Sequence, residues 1–138
     1  MILLDTVVVS ELRKARPNLR VIAWMRGLRE ADVFLSVVTI GEIERGIRKA
    51  RDTEFALALT RWLEELLRFY GDRILPVTPD IARRWGRLSA DIGHEGADLL
   101  VAATAAAHGL TVATRNVRHF APTGVTVFDP FKAAALAD

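Results

Sequence analysis

No cysteine occurs among the 138 residues, so disulfides and thiolate metal sites are excluded. That absence fits a reducing compartment. There is no GxxxxGK[ST] loop and no GxGxxG turn, the usual backbone cradles for nucleotide phosphates. A GxSxG elbow is missing as well, so serine-hydrolase chemistry finds no support. The three histidines form no HxxxH or HxH pair of metal-ligand spacing. His94 and His108 sit near expected helix ends and read as structural; His119 falls in a turn. The longest largely apolar run, Leu99 to Ala107, is too short to span a bilayer. Residues 1–5 lack the basic start and apolar core of a secretion signal, and the expected location is the cytoplasm. Neither sign of charge is in large excess: the formal net charge is +2. Nucleic-acid binding is permitted by this balance but not demanded by it.

What is present suits a globular chain with a real core. The length fits one domain, and 51% hydrophobic with 26% charged residues is ordinary for that class. Strand and helix patterns alternate. Ile2 to Leu4 reads as a short strand, followed by a helix over Thr6 to Arg13. Val21, Ile22, Met25 and Leu28 recur at helical spacing between Asn18 and Arg29. Val33 to Leu35 reads as a second strand, with Ser36 and Thr39 as N-cap choices for a helix reaching about Ala50. Asp52 or Thr53 can cap a long helix to Tyr70, ended by Gly71. Phe55, Leu59, Trp62, Leu63, Leu66 and Leu67 line one broad face of it. Trp24, Trp62 and Trp85 all lie on apolar helix faces and read as packing residues.

Ile74-Leu75 forms a brief third extended segment. Thr78-Pro79 opens the next helix, cap then proline, and Gly93 and Gly96 interrupt it. Ala97 to His108 forms an alanine-rich helix. Leu110 to Ala113 and Val125 to Phe128 complete the strands, and Asp129-Pro130 opens a last short helix. This order argues a parallel sheet with helices on both faces. Ligands in such folds bind beyond the carboxyl ends of the strands, where Asp5 and Thr114 both fall.

Three acids stand in suggestive places. Asp5 closes a buried strand, where an unsatisfied carboxylate is costly. Glu42 lies on the helix that begins near Thr39. Gly46 follows it one turn later on the same face, a position where a bulky ligand can come close. Asp98 lies in the first turn of its helix, where the helix dipole favours a negative charge, with Ala102 and Ala105 on its face. Singly, each has a plain explanation: a cap for Asp5, a solvated helix position for Glu42, a dipole partner for Asp98. Jointly, acids that could converge suggest a divalent metal and phosphodiester chemistry.

These segments resemble the blocks of PIN-domain proteins. Met1-Ile-Leu-Leu-Asp-Thr-Val-Val-Val-Ser-Glu11 resembles their opening strand followed by D-T-N-V-x-x-E. Ser36-Val-Val-Thr-Ile-Gly-Glu42-Ile-Glu-Arg-Gly46 resembles S-x-x-T-x-x-E-[LI]-x-x-G. Ala97-Asp98-Leu-Leu-Val-Ala-Ala-Thr-Ala resembles A-D-x-x-I-A-A-T-A. Thr111 to Phe120 and Val127 to Phe131 resemble the fourth block and the closing motif. The likeness runs nearly end to end, and is strongest to VapC-type toxins of the FitB-like branch.

The resemblance implies a three-layer α/β/α domain over residues 1–138 with a central, mostly parallel sheet. It implies a Mg²⁺- or Mn²⁺-dependent endoribonuclease, the toxin of a type II toxin–antitoxin pair. Asp5, Glu42 and Asp98 match the metal-holding acids. Asn116 falls where many members carry a fourth acid, and Thr114 matches the hydroxyl residue just before it. Val7 stands in place of the asparagine of D-T-N. A cognate antitoxin of the VapB or FitA kind is implied as partner, with operator DNA reached only through it, and a homodimer is implied through the Asn18 and Asp52 helices. Arg45, Arg48, Arg115 and Arg118 are candidates for holding an RNA backbone. The alternative from another class is a binding module of weak catalysis, acting with its antitoxin as a corepressor on operator DNA; Asn116 and Val7 motivate it. A receiver domain also places Asp at a strand end, but an acidic pair beside Asp5 and a late strand-end lysine are both missing.

Overall fold

A computed structural model describes residues 1–132. Five parallel strands form one sheet: β1 (Ile2–Leu4), β2 (Val33–Ser36), β3 (Ile74–Leu75), β4 (Thr111–Ala113) and β5 (Val127–Phe128). Their spatial order is β3-β2-β1-β4-β5. Ile2 lies between Val33 and Thr111, and Leu3 between Phe34 and Val112. All neighbouring pairs are parallel, so the expected mostly parallel sheet is wholly parallel.

Seven helices connect the strands among the described residues: α1 (Thr6–Arg13), α2 (Leu19–Arg26), α3 (Val37–Lys49), α4 (Thr53–Tyr70), α5 (Pro79–Ile92), α6 (Ala97–His108) and α7 (Val117–Phe120). Strand alternation divides the core into two layers. Leu4, Leu35 and Ala113 point to one face, where they pack with Val8 and Val9 of α1, Val21 of α2, Ile43 of α3 and Leu63 of α4. Leu3 and Val112 point to the other, against Val101, Ala102 and Ala105 of α6 and Phe120 of α7. Fully burying such an aliphatic side chain contributes about 1.5–3 kcal/mol. The expected three layers are therefore present. Alanines on α6 bring that helix close to α5, its main partner.

The capping chemistry resolves each open choice. Ser36 Oγ accepts the Val38 amide at 3.0 Å, so Ser36 caps α3 and Thr39 does not. Asp52 caps α4 through the Glu54 amide at 3.0 Å. Thr78 caps α5 through Ile81 N, followed by Pro79. Several boundaries fall short of the sequence pattern. α2 stops at Arg26 because Gly27 follows as its C-cap, leaving Leu28 to reach the core from a turn. The fourth and fifth strands pair only over Thr111–Ala113 and Val127–Phe128. Within the apolar face expected for α4, Leu59 and Leu63 are buried, while Phe55 and Leu67 are each 43% exposed. Trp24 and Trp62 pack against the first core layer as expected. The helix expected to open at Asp129-Pro130 would lie mainly outside the described residues; Pro130 and Phe131 form a turn. No described helix is long and apolar enough to cross a membrane.

Candidate active site

Chain order reverses direction in the sheet between β1 and β4, since β1, β2 and β3 step one way and β4 and β5 the other. Loops diverge at such a switch point and leave a crevice beyond the strand ends. Asp5 immediately follows β1, and Thr114 immediately follows β4. Their backbones extend the ladder: Asp5 N donates to Ala113 O at 3.0 Å, and Thr114 N to Phe128 O at 2.9 Å. The two side chains are thereby fixed side by side at the crevice floor.

Thr114 is fully buried. Its hydroxyl donates to Asp5 Oδ2 at 2.8 Å and accepts the Asn116 amide at 2.9 Å. One side chain thus orients the first acid and shapes the loop that follows. Asp5 occupies the N-cap position of α1, yet its carboxylate makes no capping bond. The plain explanation as a helix cap is removed. Burial pushes the Asp5 carboxyl above its ordinary value, opposed by Thr114 and the Thr6 amide; the charges of Glu42 and Asp98 push it further up. Those two charges act on Asp5 because α3 and α6 bring them to the same crevice.

A second hydroxyl pair holds Glu42. Thr6 Oγ1 donates to Glu42 Oε1. It also lies 2.9 Å from Thr39 Oγ1. A hydroxyl has one proton, so Thr39 donates to Thr6 and Thr6 to Glu42. Asp98, at the start of α6, has Oδ2 3.2 Å from Nδ1 of His119. That imidazole is 63% exposed, so it stands at the mouth of the crevice rather than in its floor.

Asp5 and Glu42 thus each turn one oxygen to a local hydroxyl, and Asp98 turns one toward the His119 ring. Among the described residues no three histidine, cysteine, aspartate or glutamate side chains are arranged as a ready cage for a metal. The donor chemistry nonetheless fits a hard divalent cation. The groups are carboxylates and hydroxyls without sulfur, and each carboxylate retains lone pairs beyond its local bond. A cation would also reverse the repulsion that raises Asp5.

The remaining expected residues separate into two groups. Arg115, Asn116 and Arg118 line a cavity of about 460 Å³ together with His119, Asp129 and Lys132. Asn116 is exposed and makes no side-chain cap to α7. Arg45 and Arg48 instead lie exposed on α3, with Arg48 in a surface ion pair to Glu44 at 3.4 Å. A Cβ at Gly46 would meet nothing within 4 Å, so packing does not require glycine there and that face of α3 is open. Val7, in place of the family asparagine, is partly buried against the first core layer.

The sequence alone gives Thr6, Thr39, His119 and Glu11 no site role: Thr39 reads there only as a cap choice, and the Thr6–Thr39 contact spans 33 positions. Glu11 is buried, 7% exposed, and accepts from Lys14 Nζ and Asn18 N, both at 2.8 Å. Lys14 foremost, then the Asn18 amide and Arg115, hold its carboxyl below the ordinary range against the opposing effect of burial. An acid within an otherwise apolar helix face was the available signal.

A wholly parallel sheet with Asp5 at its β1/β4 switch point, and the charges of Glu42 and Asp98 acting on it, defines an α/β domain with an acidic crevice beyond the strand ends. The chain belongs to the PIN domain family, whose pattern matches residues 2–124. Toxin FitB of Neisseria gonorrhoeae is 37% identical over 137 residues, covering 95% of this chain and 99% of that protein. VapC ribonuclease Y4jK of Sinorhizobium fredii is 35% identical over 140 residues, covering 97% and 100%. The solved structure of FitAB bound to an IR36 DNA fragment aligns at 36% identity over 96% of each chain, with a TM-score of 0.84.

Proposed function

We propose that this chain is a divalent-metal-dependent endoribonuclease and the toxin of a toxin–antitoxin pair. The observation that carries the proposal is the placement of Asp5 at the β1/β4 switch point, with Glu42 tied beside it through the Thr6 hydroxyl and the charges of Glu42 and Asp98 acting on it. Two full-length relatives, one named a toxin and one a VapC ribonuclease, support it. Asp5, Glu42 and Asp98 would hold Mg²⁺ or Mn²⁺. A bound ion of this kind supplies a more acidic water and neutralises charge on the phosphate. Thr114 and Thr6 keep the carboxylates of Asp5 and Glu42 oriented toward the crevice, as hydrogen-bonded outer residues do at metal sites. Asn116 offers a neutral carbonyl oxygen where an acid would add charge, so a second ion would be held weakly. Arg115 and Arg118 at the mouth, and Arg45 and Arg48 on the open face of α3, would meet the phosphate backbone.

The implied partner is a small antitoxin that covers the acidic crevice with a basic tail, an arginine being the natural counter-ion for three carboxylates. Operator DNA would be reached through that partner, as the FitAB complex with DNA suggests. A cytoplasmic location follows from that role. Purified protein is expected to cleave RNA with Mg²⁺ or Mn²⁺, to stop with EDTA, and to leave 5′-phosphate and 3′-hydroxyl ends. Asp5→Asn and Asp98→Asn should each reduce the rate at least ~100-fold, the scale of losing a charge-stabilising group in a reacting site. Retained cleavage in both variants would rule out this site. A corepressor without nuclease activity gains ground from Asn116 and from the lack of a ready cage, and predicts no cleavage with either ion.

A further inference from the structure

Thr39 is fully buried, and a buried hydroxyl is costly unless it is hydrogen-bonded. Thr60 and Thr104 bond within their own helices, each donating at 2.8 Å to the carbonyl four residues back. Thr39 lies in the first turn of α3, where no carbonyl of the helix stands four residues back, and Ser36 already caps that helix. Its hydroxyl meets Thr6 of α1 instead, at 2.9 Å. Because Thr6 gives its one proton to Glu42, Thr39 is the donor of that pair. Thr39 and Glu42 are three residues apart, so both stand on the face of α3 that packs on α1.

Thr6 touches two of the acids. Its hydroxyl donates to Glu42, and its amide hydrogen-bonds the Asp5 carboxylate. Val7, Val8 and Val9 follow it, so Thr6 carries the only polar side chain in the first turn of α1. Its hydroxyl is fixed on both sides, by the Thr39 donor and the Glu42 acceptor, and a β-branched side chain is stiff at χ1. A buried anchor in α3 is thereby joined through one residue of α1 to two acids of the crevice. Such stiffness bears on which ion the acids accept. Mg²⁺ demands near-ideal octahedral geometry at about 2.0–2.1 Å, whereas Ca²⁺ takes more oxygens, at about 2.3–2.6 Å, in flexible arrangements. Carboxylates held in one arrangement favour the first ion, and loosened ones lose that preference.

We propose that Thr39, acting through Thr6, is a positioning residue that holds Asp5 and Glu42 in one arrangement and so makes the crevice prefer Mg²⁺ to Ca²⁺. This rests on the metal site proposed above. The test uses the full, metal-free chain and measures Mg²⁺ and Ca²⁺ affinities by competition against Mn²⁺, whose free fraction is read by electron paramagnetic resonance. The wild type should bind Mg²⁺ more tightly than Ca²⁺. Thr39 stands one hydrogen bond further out than a residue bonded directly to a ligand, so Thr39→Val should weaken Mg²⁺ binding at least ~fivefold and Ca²⁺ binding less than ~twofold. Thr39→Ser keeps the hydroxyl and should keep the wild-type preference. In a Thr6→Val background, Thr39→Val should change the preference no further. Equal weakening of both ions by Thr39→Val, a Thr39→Ser variant that behaves like Thr39→Val, or an undiminished effect in the Thr6→Val background would overturn the proposal. A wild type that binds Mn²⁺ and cleaves RNA while Thr39→Val keeps its preference overturns the role of Thr39 alone. A wild type that binds no ion overturns the metal-dependent nuclease and this role together.

Discussion

Asp5 is the residue where burial and function pull in opposite directions. Its carboxyl is raised first by burial, then by Glu42 and Asp98, and is only partly relieved by Thr114 and Thr6. Between its unfolded value, about 3.9, and its raised folded value, the folded chain binds more protons than the unfolded one. Stability without metal therefore falls as pH rises through that window, and the full cost is present above the folded value. Asp5→Asn removes the charge but keeps an acceptor for Thr114. Its melting temperature in EDTA at pH 7 should exceed the wild type's, by about 2–4 °C for each kcal/mol relieved. The gap should close as pH is lowered through the raised value. Calorimetric scans at pH 7 and pH 4 would check both signs, and an Asp5→Asn variant less stable than wild type at pH 7 would contradict them. The three acids were legible from sequence only jointly, since each alone has a plain local explanation as a cap, a solvated helix position or a dipole partner. Their local donors were not. Thr6 and Thr39 look like ordinary helix residues until the fold sets them against each other, and the 3.2 Å approach of His119 to Asp98 joins two separate helices.

Among the elements, α1 does more than cross from β1 to α2. Glu11 ties its last turn to the start of α2 through Lys14 and the Asn18 amide. Asn18 in turn caps α2 by accepting from Arg20 N and Val21 N. Glu11→Ala would leave the Asn18 amide without its partner and should cost about 1–3 kcal/mol in urea unfolding. Glu11→Gln, which retains an acceptor, should cost less. The Glu11 carboxyl is held below its ordinary range, so its contribution is complete above the unfolded value and is lost as pH falls through the folded one. Equal costs for Ala and Gln would show that the side-chain oxygen has no such role. Local chemistry marks the helix starts: Thr78-Pro79 needs no tertiary knowledge, and Ser36 and Asp52 are each one of two cap choices that the backbone geometry decides. Boundaries were less legible where pairing decides them. Val125 has strand-forming chemistry, yet ladder pairing begins only at Val127.

Across the whole molecule, the parallel order places β1 at the centre and delivers all three acids to one crevice. The alternation of strand and helix in the sequence implies a parallel sheet but not the central place of β1, which only the pairing shows. Some large apolar residues are left exposed. Leu19 on α2 is 81% exposed, and Leu57 and Phe69 on α4 are 51% and 53% exposed. We propose that α2 and α4, which carry these residues, form the homodimer interface. Light scattering at micromolar concentration should give a dimer mass for the wild type and a monomer for Leu57→Glu combined with Phe69→Glu; a wild-type monomer would refute it. The central claim, that Asp5, Glu42 and Asp98 together hold a divalent ion, is tested most directly by calorimetric titration of Mn²⁺ into the metal-free protein. Saturable binding is expected for the wild type, with ~10–100-fold weaker binding in Thr114→Val, where Asp5 loses its orienting hydroxyl, and none in Asp98→Asn. No binding by the wild type, or equal binding by Asp98→Asn, would contradict the account.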